Sequence, residues 1–286
     1  MASPFRYEEA FSRNIGWLTH AEQACLKHKR VAIAGLGGVG GSHLITLARL
    51  GVGSFSLAEF DQFELANFNR QAGATTSTLG KSKLEVMVGQ ALNINPELAI
   101  SEFPDGVTEV NIGQFLEGVD VYIDGLDFFA FSVRELVFER CASLGIPAIT
   151  VAPLGMGAAL LTFMPGGISF EGYFRLKQAK TAEDKALRFL LGLSPAMLHA
   201  TYLVDRSTAR LERQRGPSTG IACQICSGVA ATEALKIMLG RGKVVAAPRG
   251  VHFDAYRSKL RATWRPGGNA NPIQRASIWV ARRMLR

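Results

Sequence analysis

The chain contains no uninterrupted apolar run near the ~18 residues that a membrane-spanning helix requires. Its opening, MASPFRYEEAF, lacks the basic and then apolar layout of a secretory signal. Cysteine is scarce, with four among 286 residues at positions 25, 141, 223 and 226. So few thiols, in a chain long enough to bury its own core, do not form a disulfide framework. Charged residues make up only 20% against 48% hydrophobic, which excludes a disordered chain. Internal repeats and low-complexity tracts are missing as well. These absences predict a soluble, cytoplasmic protein built as one large domain with room for an insertion or appendage.

What is present is an uneven charge. The net charge is +8, and residues 249–286 hold nine Lys/Arg against the single acid Asp254, so this segment alone is +8 and the remaining residues balance to zero. The basicity therefore belongs to a C-terminal tail, and a domain-wide nucleic-acid surface is not expected. Ile278, Trp279 and Leu285 among Arg282, Arg283 and Arg286 predict a short amphipathic helix. Its apolar side would dock on the domain, or meet an acidic partner or an anionic membrane in peripheral contact.

Hydrophobic periodicity divides the rest. Phe11, Ile15 and Leu18 suggest an amphipathic helix within residues 1–30. Val31 to Gly35 reads as a buried strand, and Leu44, Leu47, Ala48 and Leu50 as a helix stopped by Gly51 and Gly53. SFSLAEF is a second strand. Helices over Lys81–Leu92 and about Ser132–Ser143 alternate with strands at Leu98–Phe103, Val119–Ile123 and Ala148–Val151. This alternation predicts an α/β fold: a Rossmann-like, doubly wound, mostly parallel sheet over 31–170 with helices on both faces. Leu160–Met164 and Ile168–Phe170 read as an antiparallel pair around Pro165-Gly166-Gly167. A helical insertion at 171–217, a return helix within 218–248 and the basic tail complete the chain.

Gly35-x-Gly37-x-x-Gly40 lies directly after a strand and opens a helix, and Glu59 ends the next strand about twenty residues on. Glycines let backbone N–H groups approach a phosphate, and the helix N-terminus adds partial positive charge. A nucleotide site follows, but NAD, FAD and ATP can all use such a turn. Asp61, Asn67, Arg70 and Gln71, then Lys83, then Asp127 crowd the stretches after it. Cations converging beside a glycine loop suit a triphosphate, and a strand-end carboxylate at Asp127 suits Mg²⁺, which takes one or two protein carboxylates.

GxGGxG, an acid-x-Asp pair, N-x-x-R-Q, G-x-x-K and D-x-x-D, in this order, resemble the ThiF/MoeB/ubiquitin-activating-enzyme superfamily of adenylyltransferases. The likeness covers roughly Arg13 to Val151 and the Gly228–Gly240 helix with its Glu233-Ala234-Leu235-Lys236. The resemblance implies ATP bound at Gly35, Gly37, Gly38 and Gly40, with Asp61, Asn67 and Gln71 lining the site. In that reading Glu59 takes the ribose, Arg70 and Lys83 the phosphates, and Asp127 the Mg²⁺. It also implies a homodimer in which Arg13 reaches the partner's ATP, and a reaction that activates a carboxylate, such as the end of a small protein or peptide, as its adenylate. An NAD(P)- or FAD-dependent oxidoreductase and a non-catalytic nucleotide-binding scaffold are the rival readings.

The pattern departs from the family at Phe128, where Asn is expected, and at Arg134, which stands seven rather than five residues after Asp127. Cys223-x-x-Cys226 is a single pair, and two cysteines cannot close a tetrahedral structural zinc site, so zinc is not expected. The pair is read as sitting just before the late helix, either as nucleophilic or redox-active thiols or as small apolar fillers. His43 and His199 have no partner at motif spacing and read as packed or surface residues.

Overall fold

The computed structural model describes residues 5–205 and 216–284. The chain opens with α1 (Tyr7–Ala10), a 3-10 turn (Ser12–Asn14) and α2 (His20–Lys27), and enters the sheet at β1 (Arg30–Ala34). The glycine loop leads into α3 (Gly38–Leu50), β2 (Ser54–Ala58), α4 (Lys83–Ile94), β3 (Ala99–Phe103), α5 (Ile112–Phe115), β4 (Val121–Asp124), α6 (Phe131–Leu144) and β5 (Ala148–Leu154). There follow β6 (Gly157–Phe163), α7 (Phe170–Phe174), α8 (Ala182–Leu193), α9 (Gly220–Leu239), β7 (Arg249–Asp254), β8 (Lys259–Trp264) and α10 (Pro272–Met284).

Among the described residues the eight strands form one sheet in the order β3-β2-β1-β4-β5-β6-β7-β8. The first five are mutually parallel, and β6, β7 and β8 join antiparallel. The sheet is thus mixed, with helices on both sides. Alternation along β1 explains this directly: Val31 and Ile33 enter a core with α3, α4 and α9, whereas Ala32 and Ala34 enter a second core with α5, α6, α7 and α8. Both faces are buried, so the strand reads as a continuous apolar run. The order reverses between β1 and β4, and their carboxyl ends open the crevice where doubly wound sheets bind ligands.

Several expectations are corrected. The predicted N-terminal helix is interrupted, because Gly16 adopts φ 107° and Thr19 and Glu22 form a capping box that starts α2 afresh. The strand after β5 folds back earlier than predicted, at Gly155-Met156, with Leu154 paired to Gly157. Ile168–Phe170 is no strand, since Ser169 caps α7 through the Gly172 amide. The insertion is not one helix: α7, α8 and two 3-10 turns (Leu176–Gln178, Leu198–Thr201) occupy its described part, and the expectation for 206–215 lies outside the described residues.

The largest correction concerns residues 249–264. They are β7 and β8 of the sheet rather than a tail, and the final helix docks Ile278 against Leu187 and Leu191 of α8. Arg282 reinforces that contact with a fork on Asp184. Leu285 and Arg286 lie outside the described residues. The twenty-residue α9 is long and apolar enough by composition to cross a membrane, yet it packs between α3 and strands β5 and β6, with Cys226, Ala230 and Ala234 fully buried.

Candidate active site

At the β1–β4 crevice three backbone segments meet with no space for side chains. A methyl group on Gly40 would overlap the Gly35 carbonyl oxygen, and one on Gly35 would overlap the Gly125 carbonyl. Gly35 also takes φ 83°, which L side chains avoid. The turn after β1, the start of α3 and the strand end carrying Asp124 to Asp127 are therefore pressed together at the point where a phosphate would approach.

Glu59, expected at the ribose, is only 7% exposed and fastens this loop. One carboxylate oxygen accepts the Leu36 amide at 2.8 Å, and the other accepts the Phe60 and Asp61 amides at 2.9 Å each. Asn67 is likewise buried and turned to local structure, its side-chain oxygen accepting the Glu64 amide at 2.9 Å while its carbonyl accepts Gln71 N–H. This capped 3-10 turn delivers Arg70 and Gln71 onto the loop. The Gln71 amide nitrogen lies 3.5 Å from where a Cβ on Gly37 would stand, and the Arg70 stem lies 3.5 Å from the same position on Gly38. The Gln71 side-chain oxygen is buried without a hydrogen-bond partner among the described residues, which an incoming polar ligand would relieve.

Lys83 opens α4 behind the Ser82 cap, with its side chain 7% exposed and its ammonium 3.0 Å from the Asp61 carboxylate, itself 53% exposed. Asp127 is exposed in the loop after β4, and one of its oxygens accepts the Phe129 amide at 2.9 Å. Among the described residues no three His, Cys, Asp or Glu side chains gather as a cage. A lone strand-end carboxylate fits a Mg²⁺ completed by water and substrate phosphates. Arg13 is exposed on its 3-10 turn. The structure therefore brings the glycines, Glu59, Asp61, Arg70, Gln71, Lys83 and Asp127 to one end of the sheet, and leaves Arg13 apart.

Cys223 and Cys226 are not ahead of the late helix but within its first two turns, because α9 starts eight residues earlier than predicted, on the Thr219 cap. They are 1% and 0% exposed. Burial raises both thiols above their ordinary pKa, Cys226 well above, while Ser218 and Arg70 partly counteract the rise at Cys223. A nucleophilic thiol needs the opposite shift. The Cys223 sulfur instead fills space 3.0 Å from a Cβ position on Gly38.

Sequence reasoning missed a neighbouring polar cluster at the same end of the sheet. Tyr202 donates to Asp254 at 2.7 Å and accepts the Met156 amide at 2.8 Å, and Ser194 meets His252 Nδ1 at 2.8 Å. Thr219 at the head of α9 donates to the Gly155 carbonyl, so one helix start ties this cluster to the glycine loop. The alternation of Gly250, His252 and Asp254 was the available signal, hidden because the buried positions are polar.

His43 is fully buried with neither ring nitrogen bonded among the described residues, and burial lowers its pKa to about 3. The unfolded chain binds this proton near pH 6.5. Between those values the unfolded state holds more protons, so stability is complete above about pH 6.5 and falls as pH drops toward 3. Urea unfolding should show about 2 kcal/mol of loss from His43 between pH 7.5 and 5. His43→Leu should remove that part of the slope. An unchanged slope would refute the assignment.

In sequence, the chain is 35% identical over 150 residues to the tRNA threonylcarbamoyladenosine dehydratase of Bacillus subtilis (strain 168), a match taking in 52% of this chain and 57% of that protein. It is 30% identical over 143 residues to the sulfur carrier protein ThiS adenylyltransferase of Escherichia coli (strain K12), covering 50% of this chain and 56% of that one. The chain thus spans little more than half the length of these relatives. The E. coli MccB structure with ATP has the same fold, with a TM-score of 0.65 at 20% identity over 91% of this chain and 73% of that one. With residues 11–273 matching the family as a whole, the chain belongs to the ThiF family.

Proposed function

We propose that this protein is an ATP-dependent adenylyltransferase that activates a carboxylate as its acyl-adenylate, releasing pyrophosphate. One observation carries the reading: two cations from separate segments, Arg70 above Gly38 and Lys83 on Asp61, flank a glycine loop that is itself pressed against the Asp124–Asp127 strand end. A pyrophosphate held by backbone dipoles needs no such pair, whereas charge building on an α-phosphate and its leaving group does.

In this reading the glycine-loop amides and the α3 start hold the phosphates, while Gln71 supplies a hydrogen-bonding group facing Gly37. Arg70 and Lys83 neutralise negative charge as the substrate carboxylate oxygen attacks the α-phosphorus and pyrophosphate leaves. Glu59 keeps the loop fixed from the ribose side. Asp127 is the carboxylate that would hold Mg²⁺, which shields the phosphate charge. Arg13, exposed on the N-terminal arm, would complete a partner's site in a homodimer. The named activities of the ThiS adenylyltransferase and the ATP bound to MccB support an ATP-using site.

Exchange of labelled pyrophosphate into ATP, measured with Mg²⁺ and a panel of peptide and small carboxylates, tests this. Carboxylate-dependent exchange is expected. Binding of NAD with no binding of ATP would overturn the reading in favour of an oxidoreductase, and ATP binding without exchange for any carboxylate would leave a scaffold.

A further inference from the structure

The function above makes no use of the most basic part of the molecule. β8 is the terminal strand of the sheet, and five of its six residues are exposed. Its hydrogen bonding divides by alternation. The Arg265 amide donates to the Pro248 carbonyl at 2.9 Å, and Arg261 and Lys259 pair with His252 and Asp254, so this set turns its backbone groups toward β7. Leu260, Ala262 and Trp264 therefore turn theirs outward, along an edge that no described strand covers; at its far end the Trp264 carbonyl already accepts from the Arg265 guanidinium at 3.0 Å.

The two faces of this strand differ in chemistry. Lys259 and Arg261 project on one face, and Leu260, Ala262 and Trp264 on the other, where Arg249 stacks on the Trp264 ring. Leu260 and Trp264 are 66% and 58% exposed. Among the described residues none of Arg249, Arg257, Lys259 and Arg261 has an ion-pair partner, and Asp254, the one acid of this region, is fully buried.

We propose that β8 is the docking strand for the protein's substrate: an extended peptide segment, alternating acidic and apolar residues, that adds antiparallel to the open side of the sheet. The polarity of the strand makes this productive. Lys259 pairs with Asp254, Asp254 with Gly157, and Gly157 follows the carboxyl end of β5, beside that of β4. An added antiparallel strand enters at the Trp264 level and leaves at the Lys259 level, so its C-terminus emerges at the end of the sheet that carries the glycine loop. Five strand spacings separate the added strand from β4, about 24 Å, which about seven extended residues span. Tyr256, 64% exposed and stacked on Tyr202, and the Gly155 turn lie along that course.

This inference rests on the carboxylate-activating reading, and the test separates the two. The probe is a labelled synthetic peptide with about eight alternating Glu and Val residues followed by about seven small residues and a free C-terminus. Fluorescence anisotropy with the full chain should show binding that weakens with salt. Lys259→Glu with Arg261→Glu should weaken it at least about tenfold. Ala262→Pro, which removes an outward N–H and leaves the β7 ladder intact, should do the same. A peptide with Lys in place of Glu, or with its Glu residues in one block, should bind poorly.

Pyrophosphate exchange with the probe should require its free carboxylate. It should fall with the β8 variants, while exchange with small carboxylates stays unchanged. Binding indifferent to all β8 variants overturns the docking strand, whatever exchange shows. Binding that depends on β8 without any exchange keeps the docking strand and counts against adenylation. A wild-type chain that self-associates in sedimentation and is made monomeric by Ala262→Pro would assign the strand to a second copy and overturn the substrate.

Discussion

Lys83→Met is expected to abolish most nucleotide chemistry while leaving the fold nearly as stable as before. The two effects part because the ion pair is lopsided. Lys83 is buried at the head of α4, but its partner Asp61 stands half in water. Removing the ammonium returns Asp61 to solvent at little cost, since a pair with one exposed member contributes at most about 1 kcal/mol. Methionine fills the same apolar stem space. A phosphate next to the glycine loop then loses a buried cation whose charge is poorly screened. Loss of one preorganised charge-stabilising group typically lowers kcat by about 10²–10³. Pyrophosphate exchange and urea unfolding on the same preparation check the pair of expectations. Equal losses in both would make Lys83 a structural residue and take it out of the site.

Much of this site was legible because its signals are local. A strand that ends in glycine, a helix that begins three residues later, and charged residues at fixed offsets are all set by neighbours in sequence. The roles were harder to read. Glu59 and Asn67 have the right residue type and position for ligands, yet each is held by backbone amides, and only the folded geometry shows those amides arriving. The same limit explains the missed strands. Buried positions of β7 are Gly250, His252 and Asp254, and both faces of β8 are wet, so neither strand carries the alternation of a half-buried surface. Their basic composition then reads as a tail. The cysteines illustrate the reverse case, in which a helix boundary misplaced by eight residues turns two buried fillers into apparent helix-entry thiols.

Arg134→Ala is expected to cost about 3–5 kcal/mol, the range for breaking one side of a buried ion pair. Arg134 is 2% exposed, and its Nε donates to the Asp124 carboxylate at 2.8 Å. The two terminal nitrogens donate to the carbonyls of Phe128, Leu126 and Asp127, at 3.2, 2.9 and 2.8 Å. The guanidinium also lies 4.8 Å over the Phe189 ring of α8. Truncation would leave a buried carboxylate with Thr150 and the Leu126 amide as its partners among the described residues, and would free three carbonyls. Lysine keeps the charge but has no planar fork to serve four acceptors, so Arg134→Lys should still cost more than about 1 kcal/mol.

The same geometry gives Arg134 a place beside the site. The guanidinium holds the Phe128 and Asp127 carbonyls of the loop after β4 from beneath. Arg134 is on this view a positioning residue for Asp127. Its loss should weaken ATP binding more in the presence of Mg²⁺ than in its absence, a difference that a general loss of stability does not produce. Urea unfolding of Arg134→Ala and Arg134→Lys, with ATP affinity measured by equilibrium dialysis with and without Mg²⁺, checks both halves. A cost below about 1 kcal/mol for the alanine variant would refute the clamp, and equal affinity losses under the two conditions would detach it from Asp127.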